Sequence, residues 1–244
     1  MLPVAVVPEV NGEGSELLKR IDATRAALGD FEALCRLTDM PSPLGVKNVR
    51  EFLVFRGALT RGFVAVQTKP KNHRGDAVLS NLNNLFTFDA ARGGWTRSTA
   101  LNAIFGVPLR LSDLHPGRLS DEYDVIGTGQ LQLDGASATE VHLAARPGTL
   151  GVVPSMILWV DSLHRPVRLV ELSSAGEVQR TVNFSRYFMP EPKRPGAELW
   201  FPSQLTITDA LEPGRTLTVD AISVGLSKAD ASTFTKAFVE SQSR

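Results

Sequence analysis

The sequence predicts a mainly β fold built on one large, curled antiparallel sheet of about eleven strands preceded by a single helix. Three observations lead there. Only one segment near the start has a convincing helical stripe. From Phe31 onward the chain reads as run after run of strand-like residues, each closed by turn residues. Most gaps between the runs are too short for the crossover helices of a parallel sheet.

The helix is expected over Ser15–Leu28, with Ser15 as N-cap, Leu17, Leu18, Ile21 and Leu28 on one face, and Gly29 ending it. Arg25 interrupts the stripe and can bury its stem while keeping its head wet. The strand segments that follow are Phe31–Asp39, Lys47–Gly57, Thr60–Thr68, Asp76–Asn81, Leu85–Asp89, Tyr123–Gln130, Ala138–Ala145, Ser155–Asp161, Val167–Ser173, Val178–Phe188, Phe201–Asp209 and Thr216–Leu226. Asp134-Gly135, Pro147-Gly148, Ser174-Ala175-Gly176 and Pro213-Gly214 supply the turns. Between Trp95 and Asp121 the pattern is irregular, broken by Gly106 and Pro108, and Phe234 and Phe238 mark a final helical turn or strap. Residues 1–14 read as a flexible tail and 15–244 as one domain.

A sheet of this size curls, because each strand is rotated by about 20° against the next. Its concave face must be filled, covered or left as a cavity. One helix and a few irregular loops offer little apolar cover, so that face is a candidate ligand site.

Composition narrows the function. Twenty-six Lys and Arg balance twenty-six Asp and Glu, whereas proteins that grip nucleic acid phosphates carry a basic excess. No apolar run reaches the roughly 18 residues of a membrane-spanning helix. The N-terminal run Leu2–Pro8 is short, broken by two prolines and preceded by no basic residue, so it is not an intact signal peptide; either a cytosolic protein or a mature chain without its signal is expected. The one cysteine, Cys35, excludes an internal disulfide and reads as a buried thiol. The four histidines are scattered, and no metal, cofactor or catalytic residue is expected. There is no G-x-S-x-G, phosphate-cradling glycine loop or H-E-x-x-H. The Asp121-Glu122 and Asp124 cluster reads as solvated charges at a strand entry. Aromatic residues stand on nearly every strand or connection, either as ordinary core or as the lining for a long apolar ligand.

Pro70, Gly75 and Leu79 have the spacing of a "P-x-x-x-x-G-x-x-x-L" segment, and Trp95 follows them. In these residues and in the order of its elements the chain resembles the outer-membrane lipoprotein-sorting proteins, the LolA-like carrier superfamily, which has a W-x-Y-x-P-like strand at that place. Phe105-Gly106-Val107-Pro108-Leu109-Arg110-Leu111-Ser112-Asp113-Leu114 is similar to "F-x-G-S-D-F-S-x-E-D-L". Trp159-Val160-Asp161, Pro166-Val167-Arg168 and Gly176 resemble "W-V-D … P-x-K … G" hairpins. The resemblance spans roughly residues 15–240. It departs after Trp95, where Thr96-Arg97 replaces Tyr and Pro, and at Gly106–Leu109, where "G-S-D-F" is reduced.

This resemblance implies a strongly curved, half-open barrel whose concave apolar face is covered by the N-terminal helix and short lid helices. It implies a periplasmic carrier that binds acyl chains of lipoproteins or lipids and transfers them toward the outer membrane. Its partners would be an inner-membrane donor transporter and an outer-membrane acceptor. The chain would be a monomeric mature form without its signal peptide, with lipid anchoring of the native form left open. A periplasmic sensor or regulatory module of the same fold is the alternative; an enzyme would need a nucleophile–base pair that the sequence does not offer. An acyl chain of ~16 carbons stakes on the order of 12 kcal/mol of burial in water, so a carrier must hold it and still release it. In the family an arginine on an early strand latches the lid; Arg50, Arg56 and Arg61 lie in the corresponding region. Alternation puts Leu53 and Phe55 on one face of their strand and Phe52 and Val54 on the other. Leu53 and Phe55 are expected inward, with Phe63 and Trp159, and with Phe105, Leu109 and Leu111 descending from the lid. Phe86 and Trp95 complete the candidate apolar lining.

Overall fold

The computed structural model describes residues 12–27, 29–41, 45–58, 62–81, 84–99, 101–114, 117–149, 152–190, 200–226 and 229–243. Helix α1 (Gly12–Ala26) leads into β1 (Phe31–Met40), β2 (Asn48–Gly57), β3 (Gly62–Lys69), β4 (Ala77–Asn81), β5 (Asn84–Asp89) and β6 (Gly94–Ser98). A long connection carries two single-turn helices, α2 (Leu111–Leu114) and α3 (Leu119–Glu122). The second half is β7 (Tyr123–Leu133), β8 (Ala136–Ala145), β9 (Ser155–Val160), β10 (Pro166–Leu172), β11 (Val178–Phe188), β12 (Phe201–Asp209) and β13 (Thr216–Gly225). A terminal strap follows, made of the 3-10 turn Ala231–Phe234 and helix α4 (Lys236–Gln242).

All thirteen strands form one open antiparallel sheet in the order β6-β5-β4-β3-β2-β1-β13-β12-β11-β10-β9-β8-β7. Strands β6 and β7 are consecutive in the chain but occupy opposite edges. The connection between them must therefore cross the whole sheet, and it does so over one face, called inner here. Ile104, Val107, Leu109 and Leu111 from that connection are buried among Phe31, Phe52, Phe63 and Leu205 of the strands. The lid is a consequence of the topology.

The sheet has thirteen strands where about eleven were expected; twelve of them match the strand segments read from the sequence, and β6 is the addition. Strand β6 escapes the sequence because Gly94, Trp95, Thr96, Arg97 and Ser98 include one large apolar residue and no alternation. It exists through its ladder to β5, which pairs Phe88 with Trp95 and Phe86 with Arg97. The irregular segment thus starts after β6 and not at Trp95. Strands β7 and β8 reach closer together than expected because Asp134 and Gly135 both adopt positive φ (51° and 83°), the conformation of a two-residue hairpin turn matched to strand twist.

Helix α1 begins at Gly12, so Ser15 lies exposed inside it and is not its cap; Leu28 falls outside the described residues. Leu18 and Ile21 bury their side chains against Tyr123, Val141, Leu143, Leu158 and Val160 on the inner face of β7–β9. Gly14 is where the helix presses closest: a Cβ there would stand 2.7 Å from Cγ1 of Val125.

Register fixes which side chains share the inner face. Phe31, Ala33, Cys35 and Leu37 of β1 are buried, and Ala33 and Cys35 stand opposite Val54 and Phe52 of β2. Phe52 and Val54 are therefore the inward residues, and the expectation for Leu53 and Phe55 is corrected. Leu53 pairs with Val66, and Phe55 meets Phe238 edge-on at 5.5 Å, both on the outer face. The reason is the strap. Phe234 and Val239 cover Val64, Val66, Ala77, Leu79 and Phe88, so β2–β5 are apolar in both phases of the alternation. Nothing polar marks the outside.

Candidate functional site

A partly open space of about 100 Å³ lies on the inner face, between the C-terminal end of α1, helix α2 and strands β1, β2 and β11–β13. Phe31, Ala33, Cys35, Val54, Leu205 and Val219 form its floor, and Phe184, Tyr187, Trp200 and Phe201 wall one side. Thr24 and Arg25 of α1 and Asp113 and Leu114 of α2 close it from above. The wall is overwhelmingly apolar, as ligand pockets are. Burial pushes the Cys35 thiol from 9.0 up to about 12, so this side chain behaves as part of that wall and not as a nucleophile.

The lid is fastened to the sheet by polar contacts at two places. At its turn, Phe105 and Gly106 both take positive φ (54° and 66°), a conformation that costs a bulky residue such as Phe of order 1–3 kcal/mol. The Arg50 guanidinium, on the inner face of β2, donates to the carbonyl oxygen of Phe105, while the Phe105 ring lies 5.5 Å from that of Phe52. At α2, Arg180 of β11 donates from Nη1 to Asp113 Oδ1 at 3.0 Å and to Glu171 Oε1 at 3.1 Å, and from Nη2 to the Pro108 carbonyl at 3.1 Å. A further bond joins Arg180 Nη2 to Asp113 Oδ2, Arg110 reaches the other Glu171 oxygen, and the Arg110 backbone N–H donates to Asp113 Oδ2 at 2.8 Å. Arg180 is 1% exposed. Two arginines and two carboxylates, one of each from lid and sheet, thus form a buried clamp; the carboxylates together hold the Arg180 guanidinium more firmly protonated than usual against the opposing effect of burial.

Of the nine residues expected to line the cavity, none lies on its wall. Phe63, Phe105, Leu109 and Leu111 are on the inner face, but packed in the core beside the cavity under the lid turn. Leu53, Phe55, Phe86, Trp95 and Trp159 belong to the outer face. Phe86 and Trp95 meet edge-to-face at 6.4 Å under Lys236, whose Nζ stands 4.5 Å and 5.2 Å from the two ring centroids, and Trp95 Nε1 donates to Glu240 at 2.8 Å. Trp159 alternates with the buried Leu158 and Val160 and pairs with Arg168. Of the three candidate latch arginines, Arg50 reaches the lid, Arg56 lines the cavity and Arg61 is outside the described residues.

The clamp was missed altogether. Its members are spread from Arg110 to Arg180 and share no motif. One signal was available: Glu171 and Arg180 sit in the same phase as Leu169 and Val182, register partners on the inner face. A charge in the buried phase of two adjacent strands demands a partner.

No family model and no curated protein matches the sequence. Solved structures do match over nearly the whole chain. A LolA superfamily protein from Nitrosomonas europaea superposes with a TM-score of 0.75 at 18% identity, covering 96% of this chain and 100% of that one. A DUF1329 family protein from Desulfovibrio piger gives 0.82 at 15% identity over 95% and 100%. An outer-membrane lipoprotein-sorting protein domain from Vibrio parahaemolyticus gives 0.77 at 13% identity over 93% and 99%.

Proposed function

We propose that this chain, which has the LolA-like lipoprotein-carrier fold, is a binding protein and not an enzyme, and that it carries acyl chains of lipoproteins or lipids on the inner face of its sheet. The observation that carries this reading is an apolar cavity partly covered by a lid that is held through polar contacts. Apolar packing alone would make a lid hard to release in small steps. An arginine–carbonyl bond and a four-member ion cluster break at discrete points, and each leaves an uncompensated group that favours reclosing.

The size of the cavity defines how it works. About 100 Å³ is less than an engineered protein cavity of about 150 Å³ that just accepts benzene. A whole acyl chain does not fit beneath the lid as it lies. Loading therefore requires the connection between β6 and β7 to lift, which exposes the floor from Phe31 to Val219. The gain of about 0.8 kcal/mol per buried methylene then drives the exchange of lid contacts for ligand contacts, and the lost clamp keeps net affinity low enough for release. In this reading the protein works in the periplasm, receives cargo from an inner-membrane donor and delivers it toward the outer membrane.

The test is to extract protein isolated from its native compartment with organic solvent and identify ligands by mass spectrometry. An acylated species in near-stoichiometric amount supports the carrier. Absence of any such species, together with no binding of an added acylated lipopeptide by folded protein, overturns it.

A further inference from the structure

The polar groups that line the cavity specify more than an apolar chain. Arg165 is neutralised: its Nε and Nη2 lie 2.7 Å and 2.6 Å from Asp161 Oδ2, and it stacks over Tyr187 and Trp200 at 4.8 Å and 4.6 Å. Arg25 stands 3.6 Å from Asp22, a carboxylate already accepting the Leu119 and Ser120 backbone N–H groups at 3.0 Å and 2.8 Å. Asp113 is engaged by Arg180. Arg56 differs. It makes no ion pair among the described residues; its Nη1 donates to the Arg25 carbonyl at 3.3 Å, and its guanidinium lies 5.7 Å from the Phe31 ring centroid. The nearest acid that acts on it, Asp30, is occupied by the backbone N–H groups of Ala58 and Ala229.

Two buried donors in this lining have no hydrogen-bond partner, Arg56 Nε and Trp200 Nε1. Guanidinium and indole nitrogens can only donate, so both call for an acceptor, and the unpaired charge on Arg56 favours an anionic one. Buried donors left unsatisfied are costly and uncommon; two in the lining of the same apolar space mark where a ligand's oxygens belong. The narrow space favours a single chain over several. We propose that the Arg56–Trp200 end of the cavity binds the oxyanion head of a single-chain amphiphile, a carboxylate or a phosphate monoester, with the tail running along Val54, Leu205 and Val219. This inference rests on the carrier reading and narrows its cargo to a free anionic amphiphile.

Isothermal titration of the full chain with laurate, dodecyl phosphate and neutral monolauroylglycerol tests it, since the three share a twelve-carbon tail. The expected result is binding of at least one anion about tenfold or more tighter than the neutral lipid, as a charge-assisted bond supplies; the tighter anion identifies the head. Arg56→Gln should remove this preference by weakening the anions, with a much smaller effect on monolauroylglycerol, while Arg56→Lys should retain part of it. Trp200→Phe should weaken the anions alone, by a smaller factor. If wild-type protein binds all three equally, water satisfies the two donors and the headgroup site is refuted while the carrier survives. If none binds, the headgroup site is refuted, and the carrier reading is decided separately by the binding of acylated lipopeptide. Equal weakening of all three by Arg56→Gln, with its fold intact by circular dichroism, also overturns the site.

Discussion

Replacing Arg180 by methionine, close to it in shape and without charge, should loosen the lid more than any surface change. The side chain is 1% exposed and its four bonds hold Asp113, Glu171 and the Pro108 carbonyl. The variant leaves Asp113 and Glu171, with side chains only 5% and 6% exposed, facing Arg110 alone. Removing one partner of a buried ion cluster costs about 3–5 kcal/mol, because a charge stays buried without compensation. The remaining Arg110 contacts place this case near the lower end. At about 2–4 °C per kcal/mol for a chain of this size, the melting temperature should fall by roughly 6–12 °C. Arg36→Met is the control: Arg36 pairs with Glu51 at 3.0 Å but is half exposed on the outer face, and such pairs contribute below about 1 kcal/mol. Calorimetric melts at pH 7, with amide exchange across Ile104–Leu114, measure both effects. A melt for Arg180→Met within about 2 °C of the parent, or lid exchange no faster than the parent's, would show that the clamp does not hold the lid.

Arg50→Met removes the bond to the Phe105 carbonyl, and exchange at residues 104–109 should speed up about tenfold to a hundredfold, since a hydrogen bond to a charged group contributes about 1.5–3 kcal/mol. Ala33→Leu should fill part of the cavity, weaken acyl binding and keep or raise the melting temperature; a loss of about 1–3 kcal/mol would instead mean that Ala33 lies in fully packed core. Phe55→Arg should cost about 1–3 kcal/mol through the lost Phe238 contact while leaving acyl affinity unchanged, which a melt and a titration decide together. Cys35 should resist thiol reagents at pH 8 in the folded protein and react on unfolding. Its unfolded thiol ionises above 9.0 and its folded one only near 12. The folded state then binds more protons in that window, and this group's contribution to stability is lost as pH rises from about 9 to about 12, which denaturant titrations at several pH values would detect.

How much was legible in the sequence depended on whether a local pattern carried the information. Turn residues and alternation located twelve strands, since Asp134-Gly135 and its counterparts punctuate them. Strand β6 failed because its five residues owe their conformation to the neighbouring strand rather than to themselves. The facing of β2 failed for a different reason. Alternation tells two faces apart but cannot name the inner one when Phe234, Phe238 and Val239 arrive from the far end of the chain to cover the outer face. The same blindness to distant partners hid the clamp of Arg110, Asp113, Glu171 and Arg180, and it placed five of nine expected lining residues on the wrong side. The lid itself was foreseen from the irregularity after Trp95. That it has to cross the sheet follows only from the strand order, which sets β6 and β7 at opposite edges.

The most direct test of an acyl chain held under that lid is photolabelling with a fatty acid that carries a diazirine on its tail, followed by peptide mapping. Saturable labelling, close to one per chain, should fall on the inner-face residues Phe31, Val54, Phe184, Leu205 and Val219, and should be competed away by unlabelled acylated lipopeptide. Labelling that does not saturate, or that falls on Phe55, Phe86 and Trp95 of the outer face, would contradict it.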